Sequence, residues 1–143
     1  MREELLKFIE SLIRSLDGKL GRWVRYHYYR KRLGSCGKQV VIEPGVFFQN
    51  PAFIFLENHI WIDRYAVLVA GPFSPGERKF TQKQNADFKG KAGELLISDG
   101  VHIAPFTLLQ SHAGLFIGKN VTIASGAKVY TLSHHYQNVN DPN

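Results

Sequence analysis

LLISDGVHIAPFTLLQSHAGLFIGKNVTIASGAKVYTLSH, residues 95–134, repeats its large apolar side chains at intervals of six. Ile97, Ile103 and Leu109 form one such triplet, and an eight-residue step leads to a second, Ile117, Ile123 and Val129. A helix repeats apolar residues every three or four positions, and a half-exposed strand every two. The period of six is instead typical of a β-helix in which each hexad forms one flat face.

The same register runs upstream through two further triplets. They are Cys36, Ile42 and Phe48, then Leu56, Ile62 and Leu68. All twelve leading positions are apolar, and eleven of the twelve positions four residues later are Val, Ile, Ala, Thr or Ser. Each triplet then makes one three-sided coil, and coils stacked about 4.8 Å apart share a continuous core. We predict a mainly β fold, a parallel β-helix of about four coils over residues 35–143.

Length and cysteine content narrow the class of protein. A chain of 143 residues is by default one domain. Its single cysteine, Cys36, excludes an internal disulfide framework and falls on an inward position, so we interpret it as a small core residue. The start, MREELLKF, lacks the basic region of a signal peptide, and no apolar run approaches 18 residues. We therefore expect a cytoplasmic protein.

The positive charge is concentrated at the beginning of the chain. Residues 1–33 hold nine Lys/Arg against four Asp/Glu and so supply +5 of the net +6. A nucleic-acid binder can carry such a basic end. Because no nucleic-acid motif accompanies it and the repeats offer no basic stripe, we expect no nucleic-acid partner.

Residues 1–34 are predicted to form a helical segment. Residues 2–16 place an apolar row on one helical face, and a second helix over about 19–33 is basic and aromatic. The apolar row consists of Leu5, Leu6, Ile9, Leu12, Ile13 and Leu16. One interpretation is a cap over the open edge of the first coil. The other is a helix pair in peripheral contact with an anionic membrane, at its inner face. The two interpretations are compatible.

A loop interrupts the hexads at about residues 71–92. The step from Leu68 to Ile97 is 29 residues instead of eight. Long irregular loops in compact domains are often functional. We expect this loop to project from one corner, near an active site at a subunit boundary; a tolerated insertion is the alternative.

The segment IGKNVTIASGAKVYTLSHH resembles the hexapeptide-repeat acetyltransferases, in particular the maltose/galactoside O-acetyltransferases and their relatives in surface-polysaccharide synthesis. The matching residues are Ile117, Gly118, Asn120, Tyr130, Thr131 and His134. The helices followed by SCGKQVVIEPGVFF also resemble the polysaccharide-modifying members, and the likeness covers roughly residues 34–138. It implies a left-handed β-helix, a homotrimer, and acetyl transfer from acetyl-CoA to a hydroxyl of a saccharide or glycolipid.

The resemblance makes His134 the catalytic base. Histidine suits the task because its unperturbed pKa is about 6.5. His135 is the rival, since consecutive side chains of an extended segment point in opposite directions. Candidates for acceptor contacts are Tyr136, Gln137, Asn138 and, one coil earlier, His112.

The sequence also departs from the family. An asparagine and an aspartate line the acceptor pocket in the maltose/galactoside branch, whereas Ala104 or Phe106, and Ser111, stand at those places here. We therefore expect a different acceptor. The C-terminal coils that form much of the coenzyme slot are missing, so we expect a truncated chain or another covering element. The coenzyme-binding residues stay unassigned, and this segment alone should bind acetyl-CoA poorly.

Two other functions share this fold. A zinc enzyme of carbonic-anhydrase type needs three converging histidines, for which His102, His112 and His134 are available, but the closely spaced pair of that family is absent. We expect no metal. A non-catalytic scaffold is the other alternative, and O- versus N-acetylation stays open. Outward aromatics such as Trp61 and Tyr65 could pack between subunits of a trimer.

Overall fold

The computed structural model describes residues 1–72 and 87–132, which form two helices followed by twelve short strands. Helix α1 spans Arg2–Ser15 and helix α2 spans Gly18–Arg30. The strands are β1 Ser35–Cys36, β2 Val41–Ile42, β3 Phe47–Gln49, β4 Ile54–Leu56, β5 Trp61–Ile62, β6 Val67–Val69, β7 Leu95–Ile97, β8 His102–Ile103, β9 Leu108–Gln110, β10 Leu115–Ile117, β11 Thr122–Ile123 and β12 Lys128–Tyr130. A short 3-10 turn, Pro51–Phe53, precedes β4.

Three parallel four-stranded sheets take one strand from each of four successive coils. Sheet A is β1-β4-β7-β10, sheet B is β2-β5-β8-β11 and sheet C is β3-β6-β9-β12. The strand register aligns Cys36, Leu56, Ile97 and Ile117; Ile42, Ile62, Ile103 and Ile123; and Phe48, Leu68, Leu109 and Val129. The predicted hexad register is thus confirmed, and the architecture is that of a parallel β-helix.

The aligned rows form the core. Ile42, Ile62 and Ile103 are fully buried, one above the other, on sheet B. Burying one such side chain contributes roughly 1.5–3 kcal/mol. At the corners between sheets A and B and between sheets B and C, six of the eight turn positions four residues after the leading ones are buried, namely Val40, Val46, Ile60, Ala66, Val101 and Thr107. One of them, Thr107, is buried and donates its hydroxyl to the Ala104 carbonyl at 2.7 Å.

One residue with positive φ occurs in every turn at two of the three corners. Between sheets A and B these residues are Gln39, His59, Gly100 and Asn120, and between B and C they are Gly45, Tyr65, Phe106 and Gly126. Asparagine visits the left-handed region more readily than most residues. The asparagine of the Ile-Gly-x-Asn motif, Asn120, therefore has a turn-forming role. It lies against Gly100, where an added Cβ would collide with the Asn120 side chain.

Helix α2 covers the first coil. The Tyr29 ring is buried with its centroid 4.8 Å from that of Phe48. The fully buried Arg25 donates its Nε–H to the Ile42 carbonyl at 2.7 Å, and its Nη1 donates to the carbonyls of Ile13 and Leu16. One guanidinium therefore joins both helices to the first coil.

Helix α1 presents its polar side to the protein and its apolar side outward. No residue of α1 is buried, and five of the six members of the apolar row are exposed, by between 40% at Ile9 and 58% at Leu5. The sixth, Ile13, is half-buried, as are Glu10 and Arg14 on the polar side. Tyr29 donates its hydroxyl to Glu10 at 3.3 Å, and the Arg14 guanidinium lies 5.0 Å from the centroid of Phe47. Neither helix within residues 1–72 is both long enough and apolar enough to cross a bilayer.

Candidate active site

The corner between sheets C and A differs from the other two because the long loop leaves the prism there. We call residues 70–72, 93–94, 111–114 and 131 the insertion corner. Gly71 donates its N–H to the Gly93 carbonyl at 2.8 Å, so the segment that leaves after Gly71 returns to the same place. The two ends of the predicted loop therefore meet at this corner, while residues 73–86, on which its expected projection near an active site depends, lie outside the described residues.

His112 is held in one orientation at the insertion corner. Its Nδ1 lies 2.8 Å from the carbonyl oxygen of Gly71, and the side chain is partly buried. A carbonyl only accepts hydrogen bonds, so Nδ1 must carry the hydrogen. In the neutral ring Nε2 is then the basic nitrogen, which is the arrangement that a hydroxyl-binding or proton-accepting histidine needs.

Thr131 fastens the fourth coil to the third. Its Oγ1 accepts the Ala113 N–H at 3.0 Å and donates to the Gln110 carbonyl at 3.2 Å. Ser111 is fully buried beside this clamp, and its Oγ lies 3.2 Å from the Gly93 carbonyl. Ser111 is thus engaged with backbone. Thr131 belongs to the segment that resembles the family, but the sequence does not predict this clamp, because an apolar period gives no information on a hydroxyl contact between coils.

The returning end of the loop packs on the corner. An added Cβ at Gly114, which has φ +95°, would collide with the Phe88 ring. Beyond it, on the outer face of sheet A, lies a groove of about 290 Å³. Its floor is formed by Phe55, Leu96 and Phe116, and Lys89 and Glu57 also line it. An apolar floor beside a cation can hold an aliphatic ligand that carries negative charge.

Ala104 and Phe106, the two candidates for one departure from the resembled family, lie at a different corner. Phe106 stands in the B–C turn, 65% exposed, and stacks on Tyr65 with centroids 5.5 Å apart and planes 12° from parallel. Ala104, at the start of this turn, is buried. Tyr65 and Phe106 both have positive φ, which is uncommon for bulky residues and costs on the order of 1–3 kcal/mol each. The places that match the family's two pocket residues are therefore divided between two corners of one chain.

The histidines considered for zinc are also separated within the chain. His102 lies on sheet B, with its Nε2 3.5 Å from Asp63 Oδ2 and its ring 6.1 Å from that of Trp61. His112 belongs to the insertion corner. Within residues 1–72 and 87–132, no group of three or more His, Cys, Asp or Glu is placed to hold a metal ion.

The family-matched base and its neighbours lie outside the described residues. They are His134, His135, Tyr136, Gln137 and Asn138. The described chain ends at Leu132, directly after the Thr131 clamp. Cys36, by contrast, is described and half-buried, and burial raises the pKa of its thiol to about 11. It stays protonated at neutral pH, which argues against a nucleophilic role.

Comparison with protein-family models, with curated proteins and with solved structures returned no match for this chain. The stacked parallel sheets identify the architecture, and the function must be argued from the residues.

Proposed function

We propose that the protein is a hexapeptide-repeat O-acetyltransferase that transfers an acetyl group from acetyl-CoA to a saccharide hydroxyl, as a homotrimer of left-handed coils. The observation that carries the proposal is the insertion corner. It combines an oriented histidine, both ends of a long loop, and a threonine clamp three residues before His134. The pairing of these elements with the Tyr-Thr segment of the family motif favours transfer chemistry over a plain scaffold.

The proposed reaction uses His134 as general base. Its imidazole takes the proton of the acceptor hydroxyl while the hydroxyl oxygen attacks the thioester carbonyl carbon. The tetrahedral oxyanion then collapses, the carbon–sulfur bond breaks, and the imidazolium returns the proton to the departing thiolate. General-base assistance contributes typically 10²–10⁴-fold, and a backbone N–H near the oxyanion would lower the barrier further.

His112 is proposed to orient the acceptor. The contact between its Nδ1 and the Gly71 carbonyl oxygen, 2.8 Å away, holds the ring at the insertion corner, beside the Thr131 clamp that precedes His134. The apolar floor of the adjoining groove on sheet A suits the pantetheine arm of acetyl-CoA.

Exposed aromatic residues support the trimer. Trp61 is 44% exposed on sheet B, and the Tyr65–Phe106 stack projects from the B–C corner. A neighbouring subunit that covered these rings would offset the cost of their backbone conformation.

Acetyl-CoA turnover by the full-length protein, measured against a panel of sugars, nucleotide sugars and glycolipids, tests the function. We expect His134→Ala to lower kcat at least about 100-fold, while His135→Ala keeps most of the activity. The matched control is His59→Asn, because His59 is an exposed turn residue with φ +56° and asparagine tolerates that conformation.

Three results would contradict the proposal. Unchanged turnover in His134→Ala would remove His134 from the mechanism. Absence of acetyl transfer to every acceptor by a folded wild-type trimer would favour the scaffold, and stoichiometric zinc in the purified protein would favour the hydratase alternative.

A further inference from the structure

The outward apolar face of α1 is the largest feature that acetyl transfer does not explain. Its exposed residues are Leu5, Leu6, Phe8, Ile9, Leu12 and Leu16. A surface helix of a globular protein ordinarily turns this stripe inward. Here Arg14 and Glu10 face the protein instead, and three contacts with other elements hold them there. Glu10 accepts the hydrogen of the Tyr29 hydroxyl, the Arg14 guanidinium lies 5.0 Å from the Phe47 ring centroid, and the Arg14 carbonyl accepts the N–H of Gly45 at 3.0 Å. The orientation is therefore built into the fold.

Helix α2, the neighbour of α1, also exposes large apolar side chains. Leu20 is 70% exposed and Trp23 is 61% exposed, and both lie on the side of α2 opposite the buried Arg25 and Tyr29. Exposed apolar side chains grouped on neighbouring helices in this way mark an interaction site. Tryptophan is enriched where one end of a side chain is apolar and the other is wet, as at a membrane interface.

Cations surround this surface. Lys19, Arg30 and Lys31 are exposed on or beside the outward side of α2. Residues 1–33 carry nine cationic against four anionic side chains. Two copies of this segment meeting face to face would bring two charges of +5 together, whereas a bilayer rich in anionic headgroups would attract each copy.

We propose that α1 and the outer side of α2 dock on an anionic membrane surface, with α1 lying in the plane of the interface. At 1.5 Å per residue the 14-residue helix is about 21 Å long, which is shorter than the roughly 30 Å hydrocarbon core of a bilayer. The helix buries its apolar row at the acyl boundary while the cations contact the headgroups. The enzyme would then act close to a lipid-linked saccharide, although membrane docking does not depend on the proposed chemistry.

Co-sedimentation of the full-length protein with vesicles tests the proposal, using neutral phosphatidylcholine alone and phosphatidylcholine with 30% phosphatidylglycerol as the probes. We expect strong binding to the anionic vesicles, weak binding to the neutral ones, and release on raising the salt from about 0.1 to 1 M. The variant Leu5→Glu/Leu12→Glu should lower the partition coefficient more than about tenfold. Its fold should survive, since both side chains are more than half exposed.

The matched control adds the same two charges to the same helix, away from the apolar row. Ser11→Glu/Ser15→Glu alters two exposed positions of α1 and should bind anionic vesicles within a few-fold of the wild type. Equal losses in the two variants would mean that added negative charge, rather than the apolar face, weakens binding, and would overturn the proposal.

The number of subunits, measured by sedimentation without lipid, tests whether a second copy of the chain, rather than a membrane, covers the apolar face. Two results together would show that a second copy of the chain covers the face. The wild-type protein would bind neither vesicle type, and the Leu5→Glu/Leu12→Glu variant would have fewer subunits than the wild type. Equal binding to neutral and anionic vesicles would refute the role assigned to the cations. Because the readout is lipid binding, failure here leaves the acetyl-transfer test unaffected.

Discussion

The two ends of the described stack follow the same hexad pattern but are buried to different degrees. At the first coil, Ile42 is fully buried beneath α2, and Tyr29 closes the space above Phe48. At the fourth coil, Ile123 and Val129 occupy the same rows yet are only partly buried. A hexad therefore specifies which way a side chain points, while the adjacent layer decides how much that side chain stabilises the fold.

The largest expected loss of stability comes from replacing a core isoleucine by alanine, and the same substitution is compared in the third and fourth coils. Ile103→Ala removes a fully buried side chain between two coils and should lower the free energy of unfolding by about 2–5 kcal/mol. Ile123→Ala, the next position in the same row, should cost only about 1 kcal/mol because its surroundings are partly open. Urea unfolding of both variants measures the difference. Equal losses would show that the fourth coil is covered as fully as the third.

A smaller effect is expected when the first coil loses its link to the helices. Arg25→Met removes the donors to the carbonyls of Ile42, Ile13 and Leu16 and should cost about 2–3 kcal/mol. Arg30→Met is the matched control on the same helix, because Arg30 is exposed and its guanidinium lies 5.8 Å from the Tyr26 ring centroid. The control should change stability by less than about 0.5 kcal/mol. Similar losses in the two variants would refute the special role of Arg25.

The smallest expected change in the free energy of unfolding appears only at high pH. Burial raises the pKa of Tyr29 to about 12, from an ordinary value of 10.0. Between these values the unfolded chain releases the phenolic proton first, so stability that is fully present below pH 10 falls as the pH rises toward 12. At pH 11 the loss should be about 1 kcal/mol. Tyr29→Phe should lack this component, and parallel pH slopes for the variant and the wild type would contradict the burial of the phenol.

The sequence predicted the rows of the prism because each row depends on a local period that no distant contact alters. Helical spacing likewise predicted that α1 has an apolar face. It could not predict the direction of that face, which Glu10 sets through its contact with Tyr29 of α2, and Arg14 through its contact with Phe47 of β3.

The sequence predicted less of the candidate site than of the fold. The tautomer of His112 depends on the Gly71 carbonyl, 41 residues earlier and across the loop. The clamp by Thr131 joins two coils through one hydroxyl. The assignment of His134 as base stays a prediction, since it rests on the likeness of a motif.

Because Gly71 and Gly93 are hydrogen-bonded to each other, the length of the chain between them does not affect how the coils stack. Strands β4 and β7 remain aligned, Ile54 opposite Leu95, although the long loop intervenes between their coils. Doubling the length of a flexible loop costs only about 0.6 kcal/mol in closure entropy. The segment between these glycines could therefore be exchanged for one of a different length while the register of Ile54 against Leu95 beneath it is kept.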